Sequence, residues 1–207
     1  MQRLLFIRHG TTYWNNLFRY QGHTDIELNE EGIEQARAVK NRLVQYQLDA
    51  IYSSDLSRAV QTAQIIAAPH NLPIKTYSEL REINFGVWEG LTYQDLEQRF
   101  PELLTTWLEA PHLLAIPGGE TFTEVQRRAL KCICEIVSIH PQGNIAVVTH
   151  GGTIAALICG LLNEPLSGMW KYKQKNASLT TFQIENNKFV LETVNDVSHL
   201  TINDEVK

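Results

Sequence analysis

Two unbroken apolar runs, LLFI at 4–7 and IAVV at 145–148, constrain this chain more than any other feature. A strand with one wet face alternates apolar and polar residues, whereas a strand with no polar position needs cover on both faces. Such strands belong to a parallel sheet flanked by helices, and the intervening sequence supplies the helices. In LNEEGIEQARAVKNRLVQYQ, the residues Ile33, Ala36, Val39 or Lys40, Leu43 and Tyr46 fall at helical spacing behind a capping Asn29. In DLSRAVQTAQIIAA, the residues Leu56, Ala59, Val60, Ala63 and Ile66 make one stripe that stops before Pro69. Short strands are expected at 50–52 and 74–77, a long helix at 121–139 and another over TIAALICGLL. SLTTFQIENNKFVLETV alternates about Asn186 and Asn187, which is a hairpin pattern.

This order of elements predicts an α/β fold: a three-layer αβα sandwich, its mostly parallel sheet carrying an antiparallel edge strand. No repeat or linker divides the 207 residues, so a single domain over 1–207 is expected. Around 89–120 the pattern loosens into short helical pieces among Pro101, Pro111 and Pro117, and this segment, with Trp107 and a GGET turn, is expected to cap a pocket. Trp88 and Trp170 are each either core or pocket wall.

Composition excludes several classes. A net charge of −5 without a Lys/Arg run argues against nucleic-acid binding, which needs a basic face. No apolar run approaches the ~18 residues of a membrane span and no basic-then-apolar leader is visible, so a cytoplasmic location without membrane association is the default. Cys132, Cys134 and Cys159 contain no CxxC pair and read as reduced, buried thiols rather than metal ligands. The C-terminal hairpin is either a free edge or the seam of a homodimer.

Both apolar runs end alike, in Arg8-His9-Gly10 and in Thr149-His150-Gly151-Gly152. Ligands of open α/β sheets bind at the carboxyl ends of strands, where neighbouring crossovers diverge. Two further stretches carry chemistry: SSDLSRAVQTA, with Arg58, and LREINFGVWEG, with Glu82. Each of these residues alone is an ordinary surface or core residue; only the set is informative.

That set resembles the histidine phosphatase superfamily, the phosphoglycerate-mutase-like enzymes, over nearly the whole chain and in the same order. Arg8-His9-Gly10 is similar to the N-terminal signature, Trp14-Asn15 to a pair in the active-site loop, SSDLSRAVQTA to the segment of the second phosphate arginine, and THGG to the second-histidine motif. The resemblance implies a phosphoglycerate-mutase-like fold and a histidine acid-type phosphatase, a phosphoric monoester hydrolase. His9 would be the nucleophile that forms a phosphohistidine, and Glu82 the proton donor and then the base. Arg8, Arg58, Asn15, His150 and Gly151 would bind the phosphate. No cofactor and no metal is implied, and the partner would be a small phosphorylated metabolite. One departure is Thr11, where the family often has Glu; it is expected to alter the edge of the pocket.

The physical reason for the pattern is direct. A phosphomonoester brings about two negative charges, and its transfer needs positioning and charge neutralisation more than covalent machinery. Guanidinium forks match phosphate oxygens, and two of them beside an imidazole also keep it unprotonated and nucleophilic. The glycines let backbone approach the anion. Three readings follow. Hydrolysis is favoured because the segment after Glu82 looks like the compact version of the phosphatase branch, which includes broad-specificity, α-ribazole-phosphate and metal-independent phosphoserine phosphatases. The alternatives are a phosphoglycerate mutase and a non-catalytic phospho-ligand-binding relative, the latter disfavoured because all five chemical residues are present.

Overall fold

A computed structural model of the chain describes residues 2–186 and 188–200. The first strand, β1 (Gln2–Arg8), shows why its sequence carries no polar gap. Leu4 and Phe6 pack into one core and Leu5 and Ile7 into another, on opposite faces of the same sheet. Strand β4 (Gly143–Thr149) repeats this, sending Ile145 and Val147 to the first core and Ala146 and Val148 to the second. All eight are fully buried. Complete burial of a side chain of this kind contributes about 1.5–3 kcal/mol.

Among the described residues six strands lie in the order β3-β2-β4-β1-β5-β6. Strands β2 (Leu48–Ser54), β3 (Ile74–Tyr77), β4 and β1 run parallel. The far edge is an antiparallel pair, β5 (Leu179–Glu185) and β6 (Lys188–Asp196). The expected hairpin is therefore present; Asn186 sits at φ 48°, in the left-handed region that suits Asn, and Asn187 lies outside the described residues.

A short helix, α1 (Tyr13–Asn16), follows β1. The next two, α2 (Glu30–Leu43) and α3 (Ser57–Ala67), cover the face holding Leu5 and Ile7. Asn29 caps α2 by accepting the Gly32 N–H at 2.8 Å. The stripe of α3 differs from expectation in one respect: Val60 is only half-buried, while Arg58 and Thr62 are buried at 1% and 0% exposure. The helix thus presents a guanidinium and a hydroxyl to the sheet's carboxyl end, where an apolar stripe would continue.

After β3 come α4 (Tyr93–Arg99) and α5 (Pro101–Glu109), and then α6 (Phe122–Ile139) and α7 (Gly151–Leu161) cover the opposite face. Cys132 and Cys159 are buried, but Cys134 is exposed, because two residues along a helix turn its side chain away from the core. Strand β1 leads into α2 on one face and β4 into α7 on the other. Arg8 pairs with Thr149 in register at the carboxyl end of this central pair, so the crevice between the two diverging crossovers opens beside His9 and His150.

Candidate active site

His9 is pinned by backbone before its ring does anything. Its N–H donates to Thr149 O at 3.0 Å, and its own carbonyl accepts the Ala177 N–H at 3.1 Å, so the residue is held between β4 and the approach to β5. The following turn demands glycine: a Cβ on Gly10 would lie 2.3 Å from the Gly32 carbonyl oxygen, at the start of α2. Close packing of that helix fixes this position, rather than approach to an anion.

His9 is 3% exposed, and its ring Nδ1 lies 2.7 Å from the Gly10 carbonyl. A carbonyl only accepts, so Nδ1 carries the proton and Nε2 keeps its lone pair. Burial first, then the charges of Arg58 and Arg8, hold the imidazole well below its ordinary pKa of 6.5. The site therefore contains an uncharged, oriented nitrogen base.

Both arginines are braced on carbonyls. Arg8 donates to Gln174 O at 2.7 Å, and Arg58 to Gly22 O at 2.7 Å and Thr24 O at 3.0 Å. The Nε of each is buried without a protein partner. Burial pulls Arg58 down to about 10, which leaves it charged at neutral pH. On α1, the Asn15 oxygen accepts from Thr12 N–H and Oγ1, both at 3.0 Å, and from Asn176 Nδ2 at 3.3 Å. Its amide nitrogen is the donor left for the cavity.

Glu82 lies across the cavity at the start of α7. One carboxylate oxygen accepts the Gly152 N–H at 3.0 Å, and the other the N–H groups of Thr153 at 3.1 Å and Ile83 at 3.0 Å. A helix N-terminus favours a carboxylate there. A Cβ on Gly152 would come within 2.7 Å of that carboxylate, and one on Gly151 within 3.3 Å of Arg8 Nε, so these glycines admit side chains of the site itself. His150 is fully buried behind this wall, its ring centroid 5.1 Å from that of His9. Its Nε2 lies 2.8 Å from Ser54 Oγ, and its Nδ1 is buried without a protein partner.

Arg8, His9, Asn15, Arg58, Glu82 and Gly151 all line one cavity of ≈ 350 Å³. The structure thus brings the sequence-predicted residues together, with His150 just beneath the surface. Thr11 is not on the wall; its N–H and hydroxyl are taken by Gln35 Oε1 at 2.9 and 3.0 Å, so the departure at this position touches α2 and not the pocket edge. From the segment 89–120, only Trp107 and Leu108 reach the cavity. The GGET turn is instead anchored on Asn84, whose carbonyl accepts the Glu120 N–H at 2.9 Å. Trp88 is core at 0% exposure, whereas Trp170 is cavity wall, its indole N–H donating to Trp107 O at 3.1 Å. His199 does not line the cavity; its Nε2–H donates to Ala177 O at 2.9 Å.

The sequence passes over several wall residues. Arg19 and Lys173 add two cations to the cavity wall, and Tyr20 and Phe85 join Trp107 and Trp170 as its aromatic side. Lys173 lies over the Trp170 ring at 5.6 Å, a pairing hidden in WKYK. Arg128 is also missed: it donates to the carbonyls of Glu79, Arg81 and Glu82 at 2.6–2.8 Å and pairs with Glu120, clamping the segment that carries Glu82. Nothing local to the α6 sequence signals that reach.

The profile of the Histidine phosphatase superfamily (branch 1) matches residues 4–197. The chain belongs to the histidine phosphatase superfamily. Within this superfamily it is 34% identical over 200 residues to phosphoserine phosphatase 1 of Hydrogenobacter thermophilus, covering 97% of this chain and 95% of that protein. It is 33% identical to the metal-independent phosphoserine phosphatase of Arabidopsis thaliana, covering 96% and 83%. Among solved structures, Bacillus stearothermophilus YhfR superposes with a TM-score of 0.92 at 36% identity, covering 96% of this chain and 99% of that one. The mycobacterial glucosyl-3-phosphoglycerate phosphatase Rv2419c in complex with VO3 superposes with a TM-score of 0.89 at 32% identity, covering 94% and 99%. The protein is thus a histidine phosphatase with a phosphoglycerate-mutase-like fold.

Proposed function

We propose that this histidine phosphatase is a metal-independent phosphomonoesterase working through a phosphohistidine on His9. The observation that carries the reading is the 2.7 Å contact from His9 Nδ1 to the Gly10 carbonyl, which leaves Nε2 as a bare nucleophile beside two guanidinium groups. In the first half-reaction Nε2 bonds to phosphorus and the P–O ester bond breaks. Glu82 passes a proton to the departing oxygen. In the second, Glu82 takes a proton from water, the new O–P bond forms, and the N–P bond breaks to free His9. The three N–H bonds to Glu82 suit its ionised form and hence the second half. The proton for the first half enters with substrate, since a phosphomonoester's second ionisation lies near pH ~6.

Arg8, Arg58, Asn15 and His150 hold the phosphoryl oxygens in this scheme, and Gly151 forms the wall beside Arg8. The cavity of ≈ 350 Å³ suits a small organophosphate, the phosphate seated inward and the organic part against Trp107 and Trp170. Among the described residues no group of His, Cys, Asp and Glu is arranged to bind a metal. Hydrolysis is favoured over mutase chemistry because the segment between Glu82 and α6 contributes only Phe85, Trp107 and Leu108 to the cavity and carries no long cover that would exclude water.

The test is phosphate release with chelator present, from phosphoserine, phosphoglycerate, glucosyl-3-phosphoglycerate, α-ribazole phosphate and p-nitrophenyl phosphate. A labelled, acid-labile adduct should be trapped on the His9 peptide, and His9→Ala should abolish turnover. Phosphoglycerate interconversion without phosphate release would establish the mutase. Ligand binding without turnover would establish the binder. Loss of turnover on chelation would refute metal independence.

A further inference from the structure

Ser54 closes β2 directly beneath His150, and both residues are fully buried. The Ser54 hydroxyl oxygen accepts the Leu56 N–H at 3.3 Å and lies 2.8 Å from His150 Nε2. With an amide occupying one lone pair, the hydroxyl proton has the imidazole as its acceptor among the described residues. Nε2 then accepts, and a neutral imidazole with an accepting Nε2 carries its proton on Nδ1. Burial, then Arg58, His9, Arg8 and Arg128, keep this ring neutral. The result is an Nδ1–H that is buried and has no protein acceptor, with the ring centroid 5.1 Å from that of His9. A buried donor without a partner calls for a ligand atom.

We propose that Ser54 is a positioning residue: its hydroxyl donates to His150 Nε2, holds that ring in the Nδ1–H tautomer and thereby aims an N–H at an oxygen of the phosphoryl group on its way to His9. The identity of the acceptor rests on the phosphoryl-transfer reading; the tautomer does not. The opposite assignment would put a second proton donor against Ser54 and present the incoming anion with a bare lone pair. Both histidines of the site are therefore fixed by neighbours on the protein side, His9 by a carbonyl acceptor and His150 by a hydroxyl donor. Each ring carries its proton on Nδ1, yet one offers its lone pair to the phosphoryl group and the other its N–H.

The experiment uses full-length protein with 15N-labelled histidine rings, the His150 resonances being assigned by their loss in His150→Gln. Ring 15N shifts distinguish protonated from bare nitrogens. The wild type should show Nδ1–H and a bare Nε2 at His150. Ser54→Ala should gain the Nε2–H tautomer and weaken vanadate binding about 10- to 100-fold, the usual range for a lost orienting partner. Ser54→Thr, which retains the hydroxyl, should restore both. A wild-type spectrum with Nε2–H overturns the proposal even where Ser54→Ala fails to fold. So does a folded Ser54→Ala with an unchanged tautomer and unchanged vanadate affinity. Nδ1–H in a protein without phosphatase turnover would overturn the function reading and leave Ser54 in its place.

Discussion

The Glu82 carboxylate and the Gly152 amide are 3.0 Å apart, and the glycine is what lets them meet. A methyl at Gly152 would lie 2.7 Å from Glu82 Oε1, the far end of a flexible side chain that can swing aside. Gly152→Ala should therefore keep the fold and lose chemistry. We expect kcat to fall about 10²- to 10⁴-fold, as for a displaced general acid–base, with Tm shifted by only a few degrees. Steady-state kinetics and thermal unfolding on the same preparation check this; an unchanged kcat would remove Glu82 from the proposed role.

Stability should depend on pH through the two buried histidines. Both are held well below 6.5 in the fold, chiefly by burial and secondly by Arg58. Above pH ~6.5 folded and unfolded chains are alike neutral at these positions and nothing is at stake. As pH falls below that, the unfolded chain takes up protons that the fold refuses, so stability drops by up to about 1.4 kcal/mol per pH unit for each group. His9→Asn removes one such group and should flatten the decline of Tm between about pH 6.5 and 5. Parallel profiles for wild type and variant would contradict it.

Arg128 braces Glu82 from outside the cavity by donating to the carbonyls of Glu79, Arg81 and Glu82. Arg128→Met keeps the aliphatic stem but leaves the Glu79 carbonyl without its side-chain donor, while the Arg81 carbonyl keeps the Thr153 hydroxyl, the Glu82 carbonyl the His23 ring and Glu120 the Asn84 N–H. Such a loss costs about 1–3 kcal/mol where water cannot replace it. The variant should unfold at lower denaturant and show a reduced kcat with KM little changed. Equal stability would mean that water takes over the clamp.

Trp107 touches Tyr20, Phe85 and Trp170, with ring centroids 5.9, 5.4 and 4.8 Å away. Aromatic contacts contribute about 0.5–1.5 kcal/mol beyond area, so Trp107→Leu should raise KM for p-nitrophenyl phosphate about 3- to 10-fold. The same variant should change KM far less for a small aliphatic phosphomonoester. A uniform change in both would assign Trp107 to packing alone.

Much of this was legible in advance because its signals are local. An apolar run without polar breaks gives a doubly covered strand, and the residue types at its end give the crevice, so His9, Arg8, His150 and Glu82 could be placed by short motifs. What escaped reading depends on distance in sequence. Arg128 reaches back from α6 to the backbone of Glu82, with no periodicity to announce it. Val60 and Arg58 show the other failure: an apolar stripe was extended through α3, whereas the helix turns Arg58 inward because Gly22 O and Thr24 O are there to receive it. The sequence reading has the glycines admit an anion to the backbone, whereas what a Cβ would meet is α2 at Gly10 and Glu82 at Gly152.

The pairing of Arg8 with Thr149 has a consequence for how this protein acquires its chemistry. His9 and His150 arrive at the ends of adjacent strands that translation separates by most of the chain, so a nascent polypeptide holds half a site until β4 slots in beside β1. Turnover is consequently a reporter of the final long-range closure, and refolding followed by enzymatic assay would time that single event.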